Sequence, residues 1–329
     1  VIFGCLCFPR PSLQVGEVSP AERRAECFRG NHFMKRLLVI LIGLSLVSAA
    51  CAQEKSVSTT LLWSLLFPGG GHFYLDQPNA GNAYLLTEGL LLLGGLSVNS
   101  NLVEGEWNFF YVNAIKIYEM SIFTSYREAR ILNGNAGYSS PVDSTSVKDL
   151  VLAPFKWENF SSPYVFGFLI AGAGLNALEA SLNPGRKCHS DISEIRIMGA
   201  DLDRAGGTAA YSAMWITLSL DAAVSEECAY RGLFQVECEE ALGKTAGLFT
   251  SAGLFGLGHV VNWADGQSWA SGGVAALAGL YLGWLFRHEG YRLEKPIAAH
   301  FWFNLAAGTT LFIMDPANNP IGIRVNFSL

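Results

Sequence analysis

The stretch SEECAYRGLFQ, Ser225 to Gln235, closes a long apolar run with two adjacent glutamates and an arginine. A carboxylate in hydrocarbon costs roughly 3 kcal/mol, so acidic residues placed there need a partner or a task. On a helix, Glu227 and Arg231 stand at i,i+4 with the acid first, the favourable orientation for an ion pair. Glu226 points about 100° away from Glu227 and has no such local cation. One carboxylate is tied up and the other is left free. Further on, FGLGHVVN places Phe255 and His259 one helical turn apart, and HFWFN places His300 and Asn304 on one face of a later helix. A carboxylate, two imidazoles and a carboxamide on three helices would meet in one polar pocket, since intramembrane ionisable groups face each other or a wet cavity. Singly, each has a plainer reading as a hydrogen-bonding core histidine, an interfacial acid or inter-helix glue. Jointly they point to a site.

Such groups need a scaffold of membrane helices, and the bulk composition supplies one. Half of the 329 residues are hydrophobic and only 15% are charged, against about one quarter in soluble domains. Mean hydropathy is positive. A net charge of −6 argues against nucleic acid, which wants a basic stripe. Candidate spans of the ~20 residues a bilayer requires lie near 58–68 with 80–99, 107–126, 164–182, 208–228, 244–262, 270–287 and 296–314. No window alternates like a strand, so an all-α, polytopic helical membrane protein is expected. Of seven cysteines, Cys5, Cys7, Cys27 and Cys51 fall in or before a targeting segment. Cys188, Cys228 and Cys238 form no C-x-x-C pair, so neither a disulfide framework nor a thiolate zinc site is expected.

The chain divides by composition. Residues 1–33 read as disordered or as an over-extended start. Residues 34–52 carry a basic n-region, the apolar run LLVILIGLSLV and the small-residue end SAACAQ, a bacterial secretory signal peptide. Residues 56–132 form a small membrane helical module, within which LFPGGGHFYLDQPNAGNAY resembles the P-G-x-G-x-x-Y turn of bacterial two-helix membrane domains. His72 there reads as interfacial. The Ser/Pro/Asn/Gly-rich stretch 133–163 reads as an extramembrane linker and 183–207 as a second polar loop. Residues 164–315 form a C-terminal helical bundle, and 316–329 a tail.

E-E-x-x-x-R, F-x-x-x-H and H-x-x-x-N, in that order across closely spaced apolar segments, resemble the CPBP intramembrane proteases. That family groups type II CAAX prenyl endopeptidases with bacteriocin-processing and immunity relatives. Tyr230-Arg231-Gly232 stands where the family usually has Phe-Arg-Gly, and GLYLGWLFRHEGYRLEKPIAAHFWFN is similar to its last two helices. The resemblance implies a multi-pass enzyme of the bacterial cell membrane, with lipid around it and a peptide or membrane-protein tail as substrate. It implies Glu226 with His259 as the water-activating pair, Glu227 with Arg231 as their support, and His300 with Asn304 on the oxyanion. Glu226, His259 and His300 would also offer the N/N/O set of a catalytic zinc, although a metal-free, glutamate-driven reaction fits the family as well. The other functions open at this stage are an ion or solute transporter using the same groups as a proton relay, and a catalytically idle immunity or scaffold protein.

Overall fold

The computed structural model describes residues 55–102, 106–262, 266–267 and 269–327. The expected signal segment, 34–52, and the residues before it lie outside these. The chain is a helical membrane protein. Among the described residues, three helices are long and apolar enough to cross a bilayer: α7 (Pro163–Leu182), α11 (Trp269–His288) and α12 (Glu294–Met314). The other expected spans are helices too, namely α1 (Val57–Leu66), α3 (Pro78–Asn99), α4 (Phe109–Leu132), α8 (Arg204–Glu227) and α10 (Lys244–Val260). They are shorter, or carry more polar residues.

The N-terminal helices interlock through small polar side chains. Ser64 bonds Ser125 at 2.7 Å, and the backbone N–H of Gly69 donates to Ser121 Oγ at 2.8 Å. His72, on the short α2 (Gly70–Tyr74), is buried rather than interfacial. Its ring stacks on Tyr84 and bonds Thr124 Oγ1 and Gln77 Oε1. Most buried side-chain nitrogens are hydrogen-bonded, and both of these are.

This module is continuous with the rest. Met120, Phe123 and Tyr126 of α4 share one apolar cluster with Val224, Cys228 and Leu233, and with Phe286 and Phe301 of the last two helices. Residues 133–163 are more than a spacer. They form α5 (Val147–Leu152) and α6 (Trp157–Phe160), and Leu150 and Ala153 are fully buried in the same cluster. Polar composition marked this stretch as loop, but its few apolar residues fall where the bundle needs covering.

The second polar loop and the tail also fold. Strands β1 (Ile192–Ile197), β2 (Ala200–Asp203) and β3 (Arg324–Phe327) make an antiparallel sheet in the order β2-β1-β3. The fold class is all-α as expected, and what departs is the reading of 183–207 as a loop and 316–329 as a tail. An irregularity between Ile192 and Glu194 shifts the register, so Ile192, Ile195 and Ile197 all point inward and simple alternation is lost. The three isoleucines pack on Tyr211, Trp215 and Phe312 and seal one end of the bundle.

Candidate active site

Helix α8 starts at Asp203, whose carboxylate caps the Gly206 N–H at 2.8 Å, and delivers Glu226 and Glu227 at its last residues. The chain then continues as a π-helical stretch, Cys228–Gln235, before α9 (Val236–Leu242) and a stop at Gly243, with φ +82. Wider π turns recur at functional sites, where they re-aim side chains without breaking the helix. Here the widening also seats Gly232 against α4: a Cβ on it would come within 2.4 Å of the Phe123 ring.

Glu226, Glu227, Arg231, His259 and His300 come together, and Asn304 lies one turn along α12 from His300. Glu226, Glu227, Arg231, His300 and Asn304 are at most 3% exposed. The Glu227–Arg231 pair forms as its spacing predicts, with Arg231 Nη1 donating to Glu227 Oε1 at 2.9 Å. The guanidinium also lies 4.4 Å over the Phe255 ring and donates to the Gly279 carbonyl. Phe255 is therefore a cation–π partner as well as packing.

His300 Nδ1 lies 2.6 Å from the same Glu227 Oε1. An ionised carboxylate only accepts, so that nitrogen carries a proton and Nε2 is turned toward Glu226. His259 is arranged alike: its Nδ1 donates to the Phe255 carbonyl at 2.7 Å. Both Nε2 atoms lie 3.9 Å from Glu226 Oε2. Among the described residues these three atoms have no hydrogen-bond partner, nor do Oδ1 and Nδ2 of Asn304, one turn along α12 from His300. These buried polar atoms, facing one another without a partner among the described residues, form a niche that a water molecule can bridge.

One expectation fails. Glu226 is not free of a cation: Lys116 of α4 donates to its Oε1 at 3.0 Å and to Glu119 Oε2 at 3.0 Å. The sequence carried a usable signal, a lone lysine in the apolar FFYVNAIKIYEMSIF with an acid three residues on, because an intramembrane lysine needs a partner. What the sequence did not reveal was which carboxylate, across 110 residues, it would find. Glu227 likewise does more than neutralise an arginine, since it also orients His300.

The zinc set can be tested on the same atoms. The donor types suit zinc, but tetrahedral bonds of about 2.1 Å would bring ligand atoms to roughly 3.4 Å from one another, and both imidazole nitrogens stand wider than that from the carboxylate oxygen. Among the described residues no group of three His, Cys, Asp or Glu side chains is arranged to hold a metal ion.

Comparison with known proteins bears on what this constellation is. No curated protein and no solved structure matches the chain. Residues 208–306 match the family model of type II CAAX prenyl endopeptidase Rce1-like proteins. That segment opens within α8 and closes two residues beyond Asn304, so it holds all three motifs and leaves Lys116 outside. The helices that carry Glu226, His259 and His300 thus lie in a segment that is similar to the Rce1-like type II CAAX prenyl endopeptidases, a family of proteases.

Proposed function

We propose that this protein is an intramembrane endopeptidase that cleaves a membrane-associated peptide with water activated by Glu226 and His259. The reading is carried by the buried polar atoms around Glu226 Oε2 that have no partner among the described residues. A water seated there gives one hydrogen to Glu226 Oε2 and is oriented by His259 Nε2, while its oxygen attacks the scissile carbonyl carbon. The abstracted proton passes from Glu226 to the leaving amine as the C–N bond breaks, so one carboxyl serves first as base and then as acid. The carbonyl oxygen, now negative, accepts from Asn304 Nδ2, a buried donor without a partner among the described residues. His300 is the second donor when its ring enters the cycle with both nitrogens protonated, Glu227 balancing that charge, and it keeps its proton throughout the step. No step is routed through a metal.

The family points to a prenylated CAAX-type tail as the first substrate to try, and an unprenylated membrane-peptide tail is the second. The experiment uses full-length protein in proteoliposomes with two internally quenched peptides of one sequence, one carrying a farnesylated cysteine before its last three residues. Glu226→Gln keeps shape and hydrogen bonding but loses the base, so cleavage should fall by about 100-fold or more. A wild-type rate in Glu226→Gln refutes the assignment. A proton relay built on the same groups would instead move ions across the vesicles and leave both peptides whole.

A further inference from the structure

We infer that Lys116 is a positioning residue of this active site, which makes the N-terminal helical module a working part of the enzyme. The inference rests on the peptidase reading above. Lys116 lies on α4, about ninety residues before the matched segment begins, yet its ammonium bonds Glu226 Oε1 at 3.0 Å. The same ammonium bonds both carboxylate oxygens of Glu119, at 3.3 and 3.0 Å. Its side chain is 12% exposed and that of Glu226 4%. This is a fixed, desolvated contact, unlike a surface pair whose long side chains wander.

The two carboxylates of the site are held in the same manner. Glu227 is gripped by Oε1, through Arg231 and His300, and Glu226 by Oε1, through Lys116. Among the described residues, Oε2 is in each case left without a partner. For Glu226 the division of labour is plain: Oε1 anchors, and Oε2 alone faces His259 Nε2 and His300 Nε2. Without Lys116, the half-buried Glu119 and the buried Glu226 would face each other with no cation between them. Their mutual repulsion would turn Glu226 Oε2 off its line to the imidazoles.

The lysine's backbone is itself well fixed. Seven residues along α4, Phe123 packs against the α-carbon of Gly232, where even a methyl group would collide. Farther on, Tyr126 Oη donates to Glu237 Oε1 of α9 at 2.6 Å. The helix that presents Lys116 is thus bolted to the stretch that follows Glu226 and Glu227, and the two halves of the contact move together.

The test compares Lys116→Met, Lys116→Arg, Glu119→Gln and Glu226→Gln in the proteoliposome assay, on whichever quenched peptide the wild type cleaves. Lys116→Met should lower kcat by about 10- to 100-fold, the scale of a small misplacement of a reacting group, with KM within about twofold because substrate contacts are untouched. Lys116→Arg keeps the cation and should recover most of the loss, and Glu119→Gln, which loosens the tether, should cost only a few-fold. Wild-type kcat in Lys116→Met overturns the inference, and so does an arginine variant no better than the methionine one. If Lys116→Met does not fold, Glu119→Gln decides: unchanged kcat there overturns it as well. These failures leave the peptidase reading intact as long as Glu226→Gln is inactive. A wild type that cleaves neither peptide above the Glu226→Gln level overturns both.

Discussion

Replacing Arg231 by alanine should unfold the bundle more readily as well as silence it. The guanidinium is buried, and Glu227 beneath it has no exposed surface. Breaking a buried pair from one side costs about 3–5 kcal/mol, because the remaining charge is stranded. Loss of the contact over the Phe255 ring adds about 1 kcal/mol. Against this, His300 still bonds Glu227 Oε1 and can carry part of the charge, which trims the total back to about 4 kcal/mol. That is a large share of the 5–15 kcal/mol by which proteins are typically stable. The assay is denaturant unfolding in detergent micelles, followed by tryptophan fluorescence. The double change Glu227→Gln with Arg231→Met removes both charges and keeps an acceptor for His300, so it should recover at least half of the loss. An Arg231→Ala protein that unfolds at the wild-type denaturant concentration would refute the ion pair as a structural element.

Glu226→Gln and His259→Ala should each cost about 100-fold in turnover, and the double variant little more, because residues that hold one water act as a unit; additive losses would show that they act separately. Asn304→Ala should lower kcat by about 3 kcal/mol, roughly 100-fold, with little change in KM if the amide serves the oxyanion; a loss confined to KM would move it to substrate binding. Prolonged chelation should leave activity intact, and elemental analysis should find less than one zinc per chain. Stoichiometric zinc, lost together with activity in His259→Ala, would reverse this expectation. Outside the membrane, burial pushes the Glu240 carboxyl up, but bonds from the N–H and hydroxyl groups of Ser139 and Ser140 outweigh it and hold the carboxyl below the usual carboxylate range. A depressed folded-state value contributes stability above the unfolded value that disappears as pH falls through the folded one. The melting difference between wild type and Glu240→Gln should therefore be present at neutral pH and vanish in acid. A difference that persists in acid would mean that Glu240 acts by packing alone.

Much of the chemistry was legible in the linear chain, since local geometry dictates it. Glu227 and Arg231 pair because a helical turn leaves them no choice, and His300 and Asn304 share a face for the same reason. The scarcity of charge and the long apolar runs announced a helical membrane protein, and three of those runs are helices long enough to span. Contacts between distant segments were decided by the tertiary structure. The sequence showed Lys116 only as a lone cation in an apolar stretch. That it reaches Glu226 depends on how α4 docks against Gly232, and no periodicity records that. Strand β1 escaped notice because its register shift hides the alternation, and β3 because four residues carry too little pattern to read. The stretch 133–163 looked like a linker because composition reports average polarity, whereas burial is decided residue by residue, at Leu150 and Ala153. Helical spacing is a property of the chain, but the closing of an ion pair across 110 residues belongs to the packed fold, where desolvation leaves a buried ammonium and a buried carboxylate each other as partners.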